Sequence, residues 1–348
     1  MFDAGDLPEL EALQRLIARG APTLRFEVVG GARGTGASLP IYSLELGAAS
    51  GDVPAIGFFG GVHGVERIGT QVLIAFLHSL IERVHWDETL QHVLDKVRLV
   101  FMPIVNPGGM QLRTRANPHG VDLMRNAPVE ADRGAPWPLR GQRLSPALPW
   151  YRGPLGAPME HEAAVLCDVV RRRILTQPFA ITIDCHSGFG TRDRIWFPYA
   201  RSREPIGCLP DIYALRTLFR ATHPYHGIYV IEPQSRQYMT HGDLWDHLYD
   251  SAPPPGGCYI PLTLELGSWL WVKKRPGQIF NLLGMFNPLV PHRLHRALRR
   301  HLTLFDFLIR AAASNQRWRP GEDARLALRE AALAYWYRSP PSSRERVV

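Results

Sequence analysis

The stretch AIGFFGGVHGVE, residues 55–66, decides the fold because a strand pattern changes into a helix start within it. Residues 55–61 form a short apolar run of the length of a buried strand, and residues 66–84 carry apolar side chains at helical spacing. The segment VRLVFMPIV, residues 97–105, is a second buried-strand pattern. A strand, a helix and another strand in succession are typical of a parallel sheet covered by helices.

The same alternation continues in both directions along the chain. A Pro-, Gly- and Arg-rich excursion at 128–158 interrupts it without a helix or strand pattern. We therefore predict an α/β fold with a mixed, mostly parallel, twisted sheet and helices on both faces. The remaining predicted helices are 7–19, 159–176, 211–221, 239–250, 291–313 and 322–337, and the remaining strands are 23–29, 39–46, 179–185, 195–200 and 258–266.

The composition is that of a globular protein without export or membrane signals. The 348 residues are 45% hydrophobic and 21% charged, which argues against disorder. The first twenty residues lack the apolar run of a signal peptide, and no stretch reaches the roughly 18 apolar residues of a membrane span. The four cysteines are widely spaced and form no CxxC pair. We predict a cytoplasmic protein that does not bind a membrane.

The formal net charge of +8 raises the question of nucleic-acid binding. All but three of the 40 basic residues are arginines, a skew that indicates coding preference rather than adaptation to phosphate. The one dense basic segment, 292–302, has apolar residues at helical spacing. A solvated helix face explains it, with a nucleic-acid surface as the alternative. We predict no nucleic-acid partner.

His63 and Glu66 form an H-x-x-E pair directly after the strand pattern at 55–61. A three-residue offset at a helix start lets both side chains converge on one point. A catalytic zinc needs three protein ligands and an open fourth position, and His186 follows the strand pattern at 179–185. H-x-x-E pairs also arise by chance in a chain with 14 histidines. The prediction of a metal site therefore rests on the order of the candidate residues along the chain and on their positions after strand patterns.

Glu265 stands within the apolar strand pattern CYIPLTLEL at 258–266. A charged side chain in such a strand costs several kcal/mol unless it is paired or functional. Its position at a strand end, like those of the candidate ligands, favours a functional group, and a buried ion pair with an arginine is the alternative. The pair His161-Glu162 begins a paired-histidine zinc motif, but Val165 leaves that motif incomplete.

In this order the motifs resemble the zinc carboxypeptidases of the carboxypeptidase A type, whose fold is shared by succinylglutamate desuccinylases and aspartoacylases. The similarity runs from about residue 54 to about residue 270. It is carried by GGVHGVE (60–66), NPGGMQLRTRANPHGVDLMRN (106–126), YRGPLGAPMEHEA (151–163), IDCHSGFG (183–190), GDLWDHLY (242–249) and TLELGSW (263–269).

The resemblance implies a zinc-dependent hydrolase that cleaves an amide bond with a metal-activated water. One zinc ion per chain would be held by His63, Glu66 and His186. Glu265 matches the general base, which takes a proton from this water and passes it to the leaving nitrogen. The implied substrate is a peptide or peptide-like molecule that is cut at its carboxyl end.

The resemblance also assigns roles to residues around the metal. Arg115, with Arg113 as the alternative, matches the arginine that stabilises the oxyanion. Arg125 matches the arginine that binds the substrate's terminal carboxylate. Tyr249 matches the tyrosine that closes over the substrate, and Asp122 matches the carboxylate that orients the first histidine ligand. Ordinary surface arginines and a core tyrosine are the alternatives.

Two departures from the family pattern bear on the substrate. Met124 replaces the asparagine before Arg125, which removes one donor to a carboxylate, and Gly108 replaces an acidic residue. An N-acyl amino acid deacylase is therefore an alternative function, and a non-catalytic binding protein is a second one. The helical pattern after residue 288 favours the peptidase. We assign 51–314 to the catalytic domain, 1–50 to the same domain, and 315–348 to a helical extension and tail.

Overall fold

The structure of the protein is a computed structural model that describes residues 7–36, 38–252 and 258–338. Within these residues, strands from the whole length of the chain form a single sheet. The strands are β1 (Arg25–Ala32), β2 (Leu39–Gly47), β3 (Ala55–Gly60), β4 (Arg98–Met102), β5 (Phe179–Ser187), β6 (Arg194–Phe197), β7 (Val230–Pro233) and β8 (Cys258–Leu266).

The sheet has the order β1-β2-β4-β3-β5-β8-β6-β7. Its centre is parallel, with β3 paired to β4 and β5, and β5 paired to β8. β6 and β7 are also parallel, whereas β1–β2, β2–β4 and β6–β8 are antiparallel. The predicted mixed, mostly parallel sheet is confirmed. Strand β7 was not predicted, because only Val230 and Ile231 of its sequence VIEP are apolar and they form no strand pattern.

Helices follow most strands. None of the described helices combines the length and the apolar character that crossing a bilayer requires. Short 3-10 turns occur at Leu123–Arg125, Gln234–Arg236 and Pro276–Phe280. The α-helices are α1 (Pro8–Gly20), α2 (Arg67–Arg83), α3 (Glu88–Leu94), α4 (Pro107–Leu112), α5 (His161–Arg173), α6 (Leu209–Thr222), α7 (Leu244–Asp250), α8 (Trp269–Lys274), α9 (Pro291–Arg300), α10 (Leu302–Ala313), α11 (Asn315–Trp318) and α12 (Glu322–Leu333).

Neighbouring residues of β3 pack against helices on opposite faces of the sheet. The ring of Phe58 lies 5.4 Å from that of Phe305 in α10, and the ring of Phe59 lies 5.1 Å from that of Trp245 in α7. This alternation follows from the two-residue period of a strand. Both faces of the central strands are therefore buried, which explains their continuous apolar sequences.

The parallel centre brings three candidate site residues to one edge of the sheet. His63 follows β3, His186 lies near the end of β5, and Glu265 is opposite His186 in the register of β5 and β8. Gly64 allows the next chain segment to approach, since a Cβ there would lie 2.1 Å from the carbonyl carbon of Gly109.

The helix predicted over 291–313 is divided at His301: α9 ends at Arg300, and α10 begins at Leu302. The His301 ring is buried, and its Nδ1 lies 2.9 Å from the hydroxyl of Tyr229. Burial, together with the neighbouring Arg300, lowers the pKa of His301 to about 4, although Asp193 opposes the shift. The folded protein therefore holds this imidazole in its neutral form.

We expect the free energy of unfolding to fall as the pH decreases from about 6.5 to about 4. Over that range the unfolded chain protonates His301, whereas the folded protein accepts the proton only at the lower pH. The loss is at most about 3 kcal/mol. Urea unfolding at a series of pH values measures it. His301→Gln, which cannot titrate, should lose less stability over the same range, and parallel profiles for the two proteins would contradict this assignment.

Candidate metal centre

His63, Glu66 and His186 converge at the carboxyl ends of β3 and β5. Their ligand atoms form a compact group in which each residue offers one nitrogen or oxygen. The Nδ1 atoms of the two histidines are 3.2 Å apart. The Glu66 carboxylate lies 2.9 Å from Nδ1 of His63 and 3.1 Å from Nδ1 of His186. All three side chains are buried.

The other ring nitrogen of each histidine faces a buried carboxylate. Nε2 of His63 is 3.0 Å from Asp122, and Nε2 of His186 is 2.6 Å from Asp184. Asp184 is itself held by the indole N–H of Trp245, at 3.0 Å. Because carboxylates accept hydrogen bonds, both Nε2 atoms act as donors, which leaves the Nδ1 lone pairs directed at the centre of the group.

This donor set fits a zinc ion. Two Nδ1 lone pairs and a carboxylate that meet in a buried space repel one another unless a cation lies between them. Two imidazoles and one carboxylate are typical ligands of catalytic zinc. Tetrahedral zinc with ligands at about 2.1 Å separates them by about 3.4 Å, slightly more than the spacing of these three groups. His63, Glu66 and His186 could therefore hold the ion.

Electrostatic interactions within the cluster keep its acids ionised. Burial opposes this, but His63, His186 and Arg115 hold the pKa of Glu66 well below its usual range. Burial likewise opposes ionisation of Asp122, yet Arg115 and His63 keep its pKa well below the ordinary value. The ligand and its supporting carboxylate are therefore available as anions at neutral pH.

Arg115 lies between the metal-binding cluster, formed by His63, Glu66 and His186, and the cavity beside it. Its Nη1 donates to Glu66 at 2.8 Å, and its Nε donates to Asp122 at 2.9 Å. The side chain remains 29% exposed, so part of the guanidinium faces the cavity. Arg113, the alternative candidate, also lines the cavity. The contacts with Glu66 and Asp122 place the Arg115 guanidinium directly against the metal-binding cluster.

Glu265 lies beside the metal-binding cluster and is buried, with 6% of the residue exposed. Burial and the negative charge of Glu66 raise the pKa of Glu265 to about 8, while His186, Arg115 and the backbone N–H of Phe189 oppose the rise. A carboxyl group with a pKa near neutrality can both accept and donate a proton under ordinary conditions. Its surroundings therefore support acid–base chemistry rather than a structural ion pair.

One cavity of about 960 Å³ is lined by the three candidate ligands together with Arg115, Asp122 and Glu265. Arg125 lies in its wall, where Nε donates to the carbonyl of Leu139 at 3.3 Å and Nη1 donates to that of Met124 at 3.1 Å. Its guanidinium is therefore fixed in orientation while facing the cavity. Further walls come from the excursion at 128–158, which has no helix or strand.

Tyr249 does not line this cavity. Its hydroxyl accepts a hydrogen bond from the backbone N–H of Cys208 at 3.2 Å, and its ring packs against Tyr199 and Tyr259. Tyr238 lines the cavity instead and hydrogen-bonds Arg125 through its side chain. The structure thus brings Tyr238, rather than Tyr249, to the place of a tyrosine that contacts the substrate.

Sequence reasoning missed Asp184 and Tyr238, although each left a signal. Asp184 is a charge in the apolar strand β5, two residues before His186 and therefore on the same face. Tyr238 immediately precedes the helix predicted over 239–250, which in fact begins at Leu244, after the N-cap Asp243. The preceding segment is irregular, which allows Tyr238 to reach the cavity.

Asp184→Asn is expected to weaken zinc binding by about 10- to 100-fold, because the amide cannot orient His186 as a carboxylate does. Competition with a chromophoric chelator measures the affinity. Asp168→Asn, a change at an exposed aspartate of α5, is the matched control and should leave zinc binding unaltered. Equal affinities in Asp184→Asn and the wild type would remove this role for Asp184.

Comparisons with known proteins agree with this geometry. A model of the zinc carboxypeptidase family matches residues 34–251, more than half of the chain. Carboxypeptidase SOL1 of Arabidopsis thaliana is 24% identical over 245 residues, 67% of this chain and 44% of that protein. Mast cell carboxypeptidase A of Rattus norvegicus is 25% identical over 232 residues, 61% of this chain and 52% of that protein.

Among solved structures, thrombin activatable fibrinolysis inhibitor matches with a TM-score of 0.65 and 19% identity, over 87% of this chain and 72% of that chain. At this level of identity the match shows a shared fold. The chain spans about half the length of the two curated relatives, at 44% and 52%.

Proposed function

Since this chain belongs to the zinc carboxypeptidase family, we propose that it is a zinc-dependent hydrolase that removes a residue from the carboxyl end of a peptide or peptide-like molecule. The observation that carries the proposal is the arrangement of one cavity. It combines the His63, Glu66 and His186 cluster with Glu265, Arg115 and Arg125. When bound, zinc would supply a Lewis acid that polarises a carbonyl and lowers the pKa of water.

Glu265 is the proposed general base. Its carboxylate accepts a proton from the attacking water and later donates that proton to the nitrogen of the leaving residue. Burial keeps bulk water away from the carboxylate, and the N–H of Phe189 helps to orient it. The pKa of about 8 in this environment is suited to both transfers near neutral pH.

Arg115 is the proposed donor to the oxygen of the scissile carbonyl. As negative charge develops on that oxygen, a guanidinium already fixed by Glu66 and Asp122 stabilises it without reorganisation. The two carboxylates bind Nε and Nη1, which leaves the remaining donors of the fork for the substrate.

Arg125 and Tyr238 are the proposed recognition residues for the terminal carboxylate. The guanidinium of Arg125 is anchored on two backbone carbonyls, so it pays little entropy to bind an anion. Met124 faces the same cavity with an apolar side chain. Arg125 therefore binds the carboxylate without the second hydrogen-bond donor that the asparagine of the family pattern would supply.

A panel of N-acylated peptides, their C-terminal amides and N-acyl amino acids tests this proposal. Arg125→Ala is expected to reduce kcat/KM for free-carboxylate peptides by about 100-fold, mainly through KM, because a charge-assisted pair is lost. The amides, already poor substrates, should be unaffected. Arg125→Lys should recover part of the loss, and Arg133→Ala, at an exposed arginine of the same excursion, should match the wild type.

Three results would overturn the proposal. Equal turnover of peptides and their amides would remove the carboxypeptidase assignment, and selective turnover of N-acyl amino acids would favour the deacylase. Binding of these molecules without any turnover by the zinc-loaded protein would indicate a non-catalytic binding protein.

A further inference from the structure

A second cavity, of about 310 Å³, lies between α8, α9 and the end of β8. Among the described residues, none lines both this cavity and the catalytic one. We call it the α8–α9 cleft. Its charged lining residues are Asp193, Lys274, Arg293, Arg296 and Arg300, and Trp271 forms part of an apolar wall.

The positive charges of the α8–α9 cleft are only partly compensated. Nε of Arg300 pairs with Asp193 at 3.2 Å, and Nη1 of Arg293 donates to the backbone carbonyl of Trp271, which carries no net charge. Lys274 and Arg296 form no hydrogen bond or ion pair within the described parts of the chain. One acid therefore faces four bases, and three positive charges remain without a counter-charge.

The arginine-rich composition of the chain does not account for this concentration. Two of the only three lysines, Lys273 and Lys274, stand at the end of α8 beside the cleft. Helix α9, with the sequence PHRLHRALRR, contains four arginines and no acidic residue. A concave surface with one sign of charge concentrates ligands of the opposite charge.

We propose that the α8–α9 cleft binds a small anion that carries two or three phosphate groups. Guanidinium groups pair with phosphate oxygens through planar forks, and a lysine adds a point charge. Three uncompensated cations match the charge of about −3 on a diphosphate ester or on cyclic trimetaphosphate, and the volume is at the lower end of small-molecule sites. Because the cleft is separate from the catalytic cavity, this ligand is distinct from the substrate, and the inference does not depend on the proposed hydrolase activity.

The neighbouring surface distinguishes a small anion from a nucleic acid. A further cavity of about 300 Å³ lies across α9 and is lined by His226, Ile228, Arg296, Arg299 and Arg300. A polymer that follows the basic helix would contact both cavities, including Arg299. A small polyphosphate in the α8–α9 cleft would contact Arg296 but not Arg299, which does not line that cleft.

Isothermal titration with cyclic trimetaphosphate, a weak metal chelator, tests the proposal on the zinc-loaded full chain. We expect one saturable site in the wild type. Lys274→Ala and Arg296→Ala should each weaken binding by about tenfold, the effect of one charge-assisted contact. Arg299→Ala removes the same charge from the same helix and should change the affinity less than about twofold, as expected for a residue that makes no contact.

Lys274 and Arg296 are exposed, so we expect their variants to fold as the wild type does, and thermal unfolding checks this. Lys274→Gln and Arg296→Gln provide second variants. Absence of saturable binding in the wild type would overturn the proposal. Equal weakening by Arg296→Ala and Arg299→Ala would show diffuse attraction instead. The surface would be a nucleic-acid surface if the protein bound duplex DNA but not trimetaphosphate, and if Arg296→Ala and Arg299→Ala both weakened the binding of DNA.

Discussion

Glu265→Gln is expected to slow hydrolysis of a free-carboxylate peptide by about 100- to 10,000-fold while zinc content stays near one ion per chain. The amide has nearly the shape of the carboxyl group but cannot accept the proton of the attacking water. It also cannot become a buried negative charge beside Glu66, whose own charge helps to raise the pKa of Glu265. The folded protein should therefore be no less stable. Steady-state kinetics, metal analysis and thermal unfolding measure the three quantities.

Glu9→Gln is a suitable control because Glu9 is also a buried glutamate, in α1, where it pairs with Arg67 outside the cavity. It is expected to leave kcat within about twofold of the wild type, as for a residue without contact to the reacting atoms. Undiminished turnover in Glu265→Gln would exclude Glu265 as the base. A loss of zinc in that variant would show a structural role instead.

The sequence was sufficient to predict the metal-binding cluster because its members follow strands of a parallel sheet. His63 and His186 stand after apolar runs of strand length, and carboxyl ends of neighbouring parallel strands meet at one edge. Glu265 could be recognised as a charge within an apolar strand. The same argument applies to Asp184, a charge in the apolar strand β5 that was not predicted as a site residue.

Other features depend on contacts that periodicity does not reveal. The α7 boundary at Leu244 is set by Asp243, whose carboxylate accepts from the N–H groups of Trp245 and Asp246. An N-cap that lies within a helical pattern is easily absorbed into a longer predicted helix. The later start leaves an irregular segment between Tyr238 and the helix, and Tyr249 within the helix accepts a hydrogen bond from the N–H of Cys208. The break at His301 likewise depends on its distant partner Tyr229.

The second large effect is expected from removal of a metal ligand. His186→Ala deletes one of three protein ligands and leaves Asp184 without the imidazole that it orients. We expect zinc content to fall far below one ion per chain and hydrolysis to disappear with it. Since structural contacts of β5 remain, circular dichroism should show a folded protein. The variant therefore separates loss of the ion from loss of the fold.

His161→Ala is the matched control for this experiment. His161 precedes Glu162 in a fragment that looks like a zinc motif, but its side chain is exposed at the start of α5 and is not part of the metal-binding cluster. The same substitution should therefore leave both zinc content and turnover unaltered. Loss of zinc in His161→Ala would place the ion elsewhere.

Zinc per chain in the wild type, His186→Ala and His161→Ala, measured by plasma mass spectrometry after dialysis, tests the central claim most directly. The account predicts about one ion per chain in the wild type and in His161→Ala, and close to none in His186→Ala. A wild-type protein that binds no zinc, or a His186→Ala variant that keeps its full complement, would contradict it.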